Sequence, residues 1–523
     1  MRARLLTLAM VLAIAGGRAG AQDELQMAPL APGLEGSAFF SPYDNLDLKV
    51  LAALDQARPG TTVYMSYYSL SYADYPKMFK KLKDRGVTLK LNFYEQTMLD
   101  PTYLIDDELK AAGFDVVLVP NLRSPTGTAS MHTKFTVVND ELVVTGSANL
   151  SASASLANHE HVIVCKNKEL ASVYKTEFAE QRAAEKKMRE ALTPAEWTTF
   201  QQQKTFPADW TGSRANALNT ALRAIDKKAV NPLDVVKTYF SPDDVCETVA
   251  VREIAKATKS VHVAMYSFVS SALGRALVDA ARRGCEVIVV ADEHQQSIDA
   301  AEAVNSMLEG EPNIRYVRGH NSLGNYSAIH HKYAIVDNQV VLGGSFNWTV
   351  QANRYNDENL IVIKSKALAT RFTGDFATLL MAYDPTGKLP AVDSQSPTAR
   401  VLLCVAVNFT VPKGWEVVVY GDAPTLGGGD PKKGVALRTS RSVEPNWLGS
   451  VVLPKGQEST YKLAVRKPGS LVNNIADPNG AQVLLESGNA TTTAHKVKVN
   501  ALGVAQLVRD AWKGAAPTFP PSN

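Results

Sequence analysis

The stretch MHTKFTVVNDELVVTGSANLS, residues 131–151, is followed 198 residues later (329 − 131) by a near copy, IHHKYAIVDNQVVLGGSFNWT, residues 329–349. Each copy begins with His-x-Lys, continues through two apolar runs separated by a polar dipeptide, and ends with Gly-Ser-x-Asn. The paired runs predict a β-hairpin. The dipeptides begin at Asn139 and Asp337 and predict a two-residue turn, in which Asn and Asp do the same backbone work.

The His-x-Lys of each copy predicts a pair of side chains on one face. Strand side chains alternate in direction, so the histidine and the lysine point to the same side. The pairs are His132 with Lys134 and His330 with Lys332. Two complete copies in register indicate a functional site, whereas a single copy would carry little weight.

The repeat extends upstream of the hairpins, and the same separation relates Tyr68 to Tyr266. Each half is predicted to start with a loop at Phe40 or Phe240 and to continue with a helix, a strand, a second helix and another strand. Strands that alternate with helices predict an α/β fold with a sheet covered by helices.

The ends of the chain differ from the repeat. Two arginines, an apolar run and Ala-Gly-Ala predict a cleaved signal peptide, and therefore a secreted or periplasmic protein. Short strands between Gly/Pro turns beyond residue 397 predict an all-β domain. The predicted units are a signal peptide (1–21), a linker (22–36), the first α/β domain (37–205), a connecting segment (206–236), the second α/β domain (237–386), a linker (387–397), a β-sandwich (398–490) and a C-terminal tail (491–523).

Composition contributes less. The 55 basic and 52 acidic residues give a net charge of +3, which does not indicate a polyanionic partner. Each of the four cysteines lies in or beside an apolar run, which favours buried free thiols. A mixed-charge segment at residues 175–192 predicts a helix with a solvated face.

The repeated motifs suit attack on a phosphodiester. One lysine about 4 Å from a phosphoryl oxygen contributes about 4 kcal/mol at an effective dielectric near 20. One histidine would attack as a neutral nucleophile, and the other would act as general acid and base. Glu160 and Glu358 would orient the imidazoles, and the spacing leaves open whether each serves its own half or the other. The predicted neutral donors to phosphate are Ser147, Asn149, Ser345 and Asn347.

At these residues the chain resembles the phospholipase D superfamily. The resemblance implies two αβα sandwich domains related by a pseudo-twofold, and a metal-independent phosphodiesterase that forms a phosphohistidine without a cofactor. It implies His132 as nucleophile and His330 as acid and base. The second half is similar to the branch that contains secreted bacterial endonucleases and mitochondrial cardiolipin hydrolases. The family's Asp after the motif lysine is present as Asp337, whereas Asn139 stands in the first half.

The C-terminal domain resembles starch-binding carbohydrate-binding modules. The tryptophan expected in one sugar-binding turn is replaced by Gly429, and Trp415 and Trp447 can equally belong to the core. We therefore predict an interaction or adhesion sandwich and leave a glycan ligand open.

We predict hydrolysis of phospholipid headgroups by a monomer, with a peripheral membrane contact left open. The alternatives are a secreted endonuclease acting on DNA or RNA, and a non-catalytic protein that binds envelope or glycan. The other motif-adjacent side chains are predicted to be packing or rim residues (His159, His161 and His331) or core aromatics (Tyr67, Tyr68 and Tyr266).

Overall fold

The computed structural model describes residues 25–513 apart from 100–104, 125–128, 204–206, 208, 232, 322, 324–326, 391, 393–396, 441–443, 468–470, 473–474, 477–481, 486–493 and 500–505. The predicted signal peptide lies outside the described residues. Among the described helices, none combines the length and the apolar character that crossing a membrane requires.

The first half forms a sheet with the strand order β1-β2-β8-β7-β6-β3-β4-β5. Strands β3, β4 and β5 are parallel, and the hairpin β6–β7 pairs antiparallel with β3 on one side and β8 on the other. The elements are β1 (Ala28–Ala31), β2 (Leu34–Ser41), α1 (Leu46–Asp55), β3 (Thr62–Tyr67), α2 (Asp74–Asp84), β4 (Thr88–Tyr94), α3 (Glu95–Met98), α4 (Ile105–Ala111), β5 (Asp115–Val119), β6 (Lys134–Val138), β7 (Leu142–Gly146), α5 (Ala152–Leu156), β8 (Glu160–Lys166), α6 (Lys168–Glu190), α7 (Pro194–Gln203) and α8 (Ala215–Arg223).

The second half repeats this order as β12-β11-β10-β13-β14-β15-β9. Its strands correspond one to one with those of the first half, except that β1 has no counterpart among the described residues of the second half. The elements are β9 (Val236–Ser241), α9 (Cys246–Ala255), β10 (Ser260–Met265), α10 (Ser271–Arg282), β11 (Glu286–Asp292), α11 (Glu293–Gln296), α12 (Glu302–Glu309), β12 (Ile314–Gly319), β13 (Lys332–Val336), β14 (Val340–Gly344), α13 (Val350–Arg354), β15 (Glu358–Lys364) and α14 (Lys366–Tyr383).

The two halves share one hydrophobic core. Apolar side chains from both sheets pack together with side chains of α6 and α14, as in the contact between Tyr174 and Phe240, whose ring centroids are 5.3 Å apart. Separate cores lie on the outer faces of the two sheets. Each buried large apolar side chain contributes about 1.5–3 kcal/mol, so the shared core holds the sheets at a fixed mutual orientation.

The motif hairpins close through the predicted turns. Asn139 and Asp337 have φ values of 55° and 53°, and the residue after each is also left-handed. The Asp337 carboxylate accepts hydrogen bonds from the backbone N–H groups of residues 258, 259 and 260 at 2.8–3.1 Å. Asn139 holds the equivalent loop by accepting from the Arg58 N–H and donating to the Gln56 carbonyl, both at 2.9 Å. Both turns therefore fasten the hairpin to the loop before the neighbouring strand.

Two sequence-based expectations need correction here, and a third is confirmed. The predicted loops at Phe40 and Phe240 are the ends of β2 and β9, because their residues pair with β8 and β15. The predicted linker 22–36 contains β1 and the start of β2, since this short apolar segment adds to the sheet edge. The mixed-charge helix α6 has the predicted solvated face, and its opposite face, including Tyr174 and Phe178, lies in the shared core.

The C-terminal β-sandwich has one sheet with the order β19-β16-β25 and a second built around β17 and β20. The predicted tail 491–523 is partly structured, because β24 pairs with β20, and β25 pairs in parallel with β16 and buries part of its surface there. The strands are β16 (Thr398–Ala406), β17 (Glu416–Tyr420), β18 (Val435–Ala436), β19 (Asn446–Pro454), β20 (Glu458–Lys467), β21 (Leu471–Val472), β22 (Ile475–Ala476), β23 (Gln482–Leu485), β24 (His495–Lys498) and β25 (Gln506–Ala511).

The sandwich packs directly on the repeated halves. A small apolar cluster joins Leu402 and Leu448 of the sandwich to Tyr43 of the first half and Leu323 of the second. Beside it, Arg438 donates two hydrogen bonds to the buried Asp47 carboxylate at 2.6 and 2.8 Å. All four cysteines are buried free thiols, as predicted.

Candidate active site

The motif histidines lie where the two halves meet, and each contacts a glutamate of the other half. The Nδ1 atom of His132 is 2.7 Å from Oε2 of Glu358, and Nδ1 of His330 is 2.7 Å from Oε1 of Glu160. The glutamates are fully buried, and the histidines are 12% and 13% exposed. With Nδ1–H facing the carboxylate, Nε2 of each imidazole is left as the reactive nitrogen.

Backbone hydrogen bonds also connect each motif region to the opposite half. The N–H of His132 donates to the carbonyl of Asp357, and the N–H of His159 donates to the carbonyl of Ala328, at 2.8 and 2.9 Å. The start of β8 and the start of β15 therefore each adjoin the motif of the opposite half. Each glutamate therefore contacts the motif histidine of the other half rather than that of its own.

Two asparagines that the sequence interpretation missed hold the glutamates. Asn356 Nδ2 donates to Glu358 Oε1 at 3.0 Å, and Asn158 Nδ2 donates to Glu160 Oε1 at 3.1 Å. Both asparagines stand two residues before the glutamate, at the separation of the repeat. The repeated Asn-x-Glu was therefore a usable signal in the sequence.

The serines of the Gly-Ser-x-Asn segments lie elsewhere than predicted. Ser147 and Ser345 are fully buried, and the Ser345 hydroxyl donates to Glu358 Oε2 at 2.7 Å rather than facing a phosphate. The preceding glycine allows this close approach, because a Cβ on Gly344 would lie 2.3 Å from the carbonyl oxygen of residue 359. Asn149 and Asn347 are half-buried, and the amide oxygen of each lacks a hydrogen-bond partner among the described residues.

The two lysines are arranged identically. Lys134 Nζ donates to the carbonyl of His132, and Lys332 Nζ donates to the carbonyl of His330, each at 2.7 Å. An ammonium group has three N–H donors, so two remain for a ligand. Burial lowers the pKa of Lys134 to about 7 and that of Lys332 to about 8, and the charge of Lys332 lowers the pKa of Lys134 further.

The two His–Glu pairs differ in charge. Burial and the nearby lysines hold the pKa of His132 well below its ordinary value, and burial lowers that of His330 to about 4. Burial raises the pKa of Glu358 to about 7. Burial also opposes ionisation of Glu160, but His330 and Lys332 outweigh it, so the pKa of Glu160 falls below its ordinary value. Glu160 is therefore the more fully ionised carboxylate.

The neighbouring histidines form a buried network away from the reactive nitrogens. His331 Nε2 lies 3.2 Å from the Asp375 carboxylate, and its Nδ1 lies 3.4 Å from Nδ1 of His161. His161 Nε2 accepts from the Gly344 N–H at 3.2 Å, and His159 Nε2 is 2.8 Å from the Tyr383 hydroxyl. All three histidines are buried, so they are packing residues and not rim residues.

The predicted core aromatics fall into two groups. Tyr67 is buried and its hydroxyl contacts Thr136 at 3.1 Å. Tyr68 and Tyr266 are only half-buried and lie against the motif histidines, with ring centroids 5.1 Å from His132 and 4.5 Å from His330. The expectation of core packing is therefore wrong for Tyr266, whereas Tyr68 also stacks on the buried Tyr94, with ring centroids 5.3 Å apart, and packs partly on a small core cluster.

An acidic cluster lies behind the site on one side of the pseudo-twofold. Carboxylate oxygens of Glu177, Glu180 and Asp243 all lie within 4.8 Å of one another, which is close enough to hold a cation. Burial and neighbouring carboxylates raise the pKa of Asp243 to about 9, so at neutral pH this cluster retains protons. Arg123 pairs with Asp226 and approaches Asp357, the residue before β15, at 3.5 Å.

Fold and site together define a protein of the phospholipase D superfamily. A family model described as cardiolipin synthase, PLD-like domain, matches residues 50–182 and 250–380, which together make up half of the chain. The chain belongs to this family and contains two copies of its domain. A second model, described as starch binding domain, matches residues 400–494.

Individual relatives match about one copy. A mitochondrial cardiolipin hydrolase from Xenopus tropicalis is 30% identical over 132 residues, which is 25% of this chain and 60% of that protein. A phospholipase D from Rickettsia prowazekii is 30% identical over 138 residues, 26% of this chain and 63% of that protein. The chain thus spans less than two thirds of the length of these curated relatives.

A solved structure gives a similar match. Nuc from Salmonella typhimurium, a phospholipase D family member, is 30% identical, covers 28% of this chain and 95% of its own, and superposes with a TM-score of 0.27. Phosphatidylserine synthase from Haemophilus influenzae is 12% identical, covers 70% of this chain and 92% of its own, and has a TM-score of 0.44.

Proposed function

We propose that this chain is a phosphodiesterase that hydrolyses the headgroup phosphodiester of phospholipids through a covalent phosphohistidine, without a metal ion. The observation that carries the proposal is the crossing of the two halves. Each imidazole lies 2.7 Å from a fully buried glutamate of the other half, and each is accompanied by a buried lysine of its own motif.

In the first step, Nε2 of His132 attacks phosphorus and forms the P–N bond. The bond from phosphorus to the headgroup oxygen breaks, and this oxygen takes a proton from Nε2 of His330. The ammonium groups of Lys134 and Lys332 balance the charge on the phosphoryl oxygens. Glu358 keeps the Nδ1–H tautomer of His132, so that its Nε2 lone pair is free.

In the second step, neutral His330 accepts a proton from water, and the water oxygen attacks phosphorus. The P–N bond breaks, the electron pair returns to His132, and the phosphomonoester leaves. His330 is then protonated again, ready for the next cycle. The half-buried amides of Asn149 and Asn347 would contact the phosphoryl oxygens during both steps.

The unequal charges support this division of labour. Glu160 stays ionised and favours an imidazolium at His330, which is the form a general acid needs. Glu358 has a pKa near 7 and favours imidazolium at His132 less, which suits a neutral nucleophile. The anionic substrate would offset the lysine charges that otherwise depress the pKa of His330.

The family description and the relatives named cardiolipin hydrolase and phospholipase D support a lipid substrate. We further propose a monomer exported to the periplasm or the medium after cleavage near residue 21, with a peripheral contact to the membrane that holds its substrate. The sandwich would serve interaction with the envelope. A glycan ligand has less support, because Trp415 and Trp447 pack partly on the sandwich core.

The experiment supplies purified protein, in EDTA, with phosphatidylcholine or phosphatidylglycerol liposomes and separately with single-stranded DNA. We expect headgroup release by the wild type and by the surface control His320→Asn, and none by His132→Asn or His330→Asn. Cleavage of DNA alone would transfer the assignment to an endonuclease. Activity lost on chelation and restored by a divalent ion would refute the metal-free mechanism.

A further inference from the structure

Two tyrosines occupy equivalent positions at the site, immediately after β3 and β10. Tyr68 lies edge-on to His132, and Lys134 Nζ is 5.3 Å from the centroid of its ring. Tyr266 lies against His330, and Lys332 Nζ is 4.8 Å from its centroid. Each ring therefore lies against the histidine and the lysine of its own motif. The two tyrosines are related by the pseudo-twofold.

The hydroxyl groups of these tyrosines differ from those of the buried tyrosines near the site. The buried tyrosines near the site use theirs, as Tyr94 does towards the Ala129 carbonyl at 2.8 Å and Tyr333 towards Asp375 at 2.8 Å. The hydroxyls of Tyr68 and Tyr266 have no hydrogen-bond partner within the described part of the chain. Both residues are half-buried, so water or a ligand reaches them.

The Tyr266 phenol also keeps its proton. Burial raises the pKa of Tyr266 to about 12, and Asp292, Glu160 and Tyr68 add to the shift. A phenol hydroxyl is a hydrogen-bond donor, and each of these rings lies beside one lysine, with Nζ 5.3 Å from the Tyr68 centroid and 4.8 Å from the Tyr266 centroid, a setting that suits an anion.

We propose that Tyr68 and Tyr266 are catalytic residues that donate hydrogen bonds to the phosphoryl oxygens of the bound phosphodiester. This inference rests on the proposed function and adds two substrate contacts to it. A phosphorus atom between the two imidazoles is bordered by both rings, because each ring centroid lies within 5.1 Å of an imidazole centroid. The rings also shield the lysines from water, which strengthens their interaction with the phosphate.

The test uses Tyr68→Phe and Tyr266→Phe, which keep the rings and remove the hydroxyls. Tyr67→Phe is the matched control, because Tyr67 is the neighbouring residue and its hydroxyl contacts the buried Thr136 at 3.1 Å. We measure kcat and KM with bis(4-nitrophenyl) phosphate, and the Kd for inorganic phosphate by calorimetry. We expect kcat/KM to fall about 10- to 100-fold in each test variant, the loss expected for a hydrogen bond to a charged group, and phosphate to bind several-fold more weakly.

We expect the control to lose thermal stability only. Test variants that match the wild type in both kcat/KM and phosphate Kd would overturn the role of the hydroxyls, even if their melting temperature drops. If the wild type does not turn over this substrate, the phosphate titration alone tests the inference. The inference is overturned if the wild type and the test variants bind phosphate with equal Kd, or if the wild type does not bind phosphate. Failure of the proposed function shows separately, as full activity of His132→Asn and His330→Asn.

Discussion

Replacing the crossed glutamates by glutamine tests whether the contact between the halves is functional. Glu160→Gln and Glu358→Gln keep the side-chain shape and remove the charge. A hydrogen bond to a charged group contributes about 1.5–3 kcal/mol, which corresponds to roughly 10- to 150-fold in rate. Neither glutamate is placed to touch substrate, so kcat should fall and KM should stay within about threefold.

The two variants should differ in size of effect at neutral pH. Glu160 is ionised throughout, whereas Glu358 has a pKa near 7 and is partly protonated already. We expect Glu160→Gln to lose about 100-fold in kcat and Glu358→Gln about tenfold, within the range for a charge-assisted hydrogen bond. The assay is steady-state hydrolysis of bis(4-nitrophenyl) phosphate from pH 5 to 8.

A further measurement separates positioning from folding. Thermal unfolding identifies variants that are merely unstable, and acid-labile phosphohistidine, trapped by rapid quenching, reports the first step directly. If both variants keep more than half of the wild-type kcat while folded, the crossed pairs do not orient the imidazoles and the argument from geometry fails.

Further predictions concern charge, the turn and the sandwich. The kcat/KM should fall above pH 7, where Lys134 loses its proton, and Lys134→Arg should move this limb upward in a pH–rate profile. In the folded protein the pKa of His330 is about 4, against an ordinary value of 6.5, so on acidification the unfolded chain binds the proton first. The free energy of unfolding should therefore fall by about 3 kcal/mol from pH 6.5 to 4. His330→Asn should flatten this pH dependence in urea titrations. Asp337→Ala leaves backbone N–H groups without an acceptor and should cost about 1–3 kcal/mol by urea unfolding, with Asp337→Asn nearer to the wild type. Arg438→Ala leaves the buried Asp47 without its cation and should cost about 3 kcal/mol at the interface, seen as faster proteolysis between the second half and the sandwich.

Much of the fold was predictable because each copy of the repeat contains two recognisable sequence patterns. The alternation of strands with helices and the polar dipeptides of the hairpins predicted two sheets and their turns. The ends of the domains were less predictable. The segments at β1 and β25 are short and have little internal pattern, and they are strands only because an edge of another strand is available to pair with them.

At the site, the residue types were predictable and their partners were not. The distance along the chain from His132 to Glu160 equals that from His330 to Glu358, so spacing cannot distinguish a contact within a half from one between halves. The shared core decides between these two contacts, because it packs one sheet against the other and so brings each glutamate to the opposite motif. Likewise, the motif predicted Ser345 as a donor to phosphate, but close approach at the preceding glycine turns its hydroxyl to Glu358.

The two copies of the motif meet at one site but have different sequences, because both belong to the same chain. A symmetric homodimer would give both of its imidazoles identical surroundings, and only the incoming molecule could tell them apart. Here the position before each glutamate is Asp357 in one copy and His159 in the other, and the residue after the first motif histidine is Thr133 where the second copy has His331. Because both copies belong to one polypeptide, the surroundings of His132 and His330 are chemically different. The two imidazoles are therefore polarised before any ligand arrives.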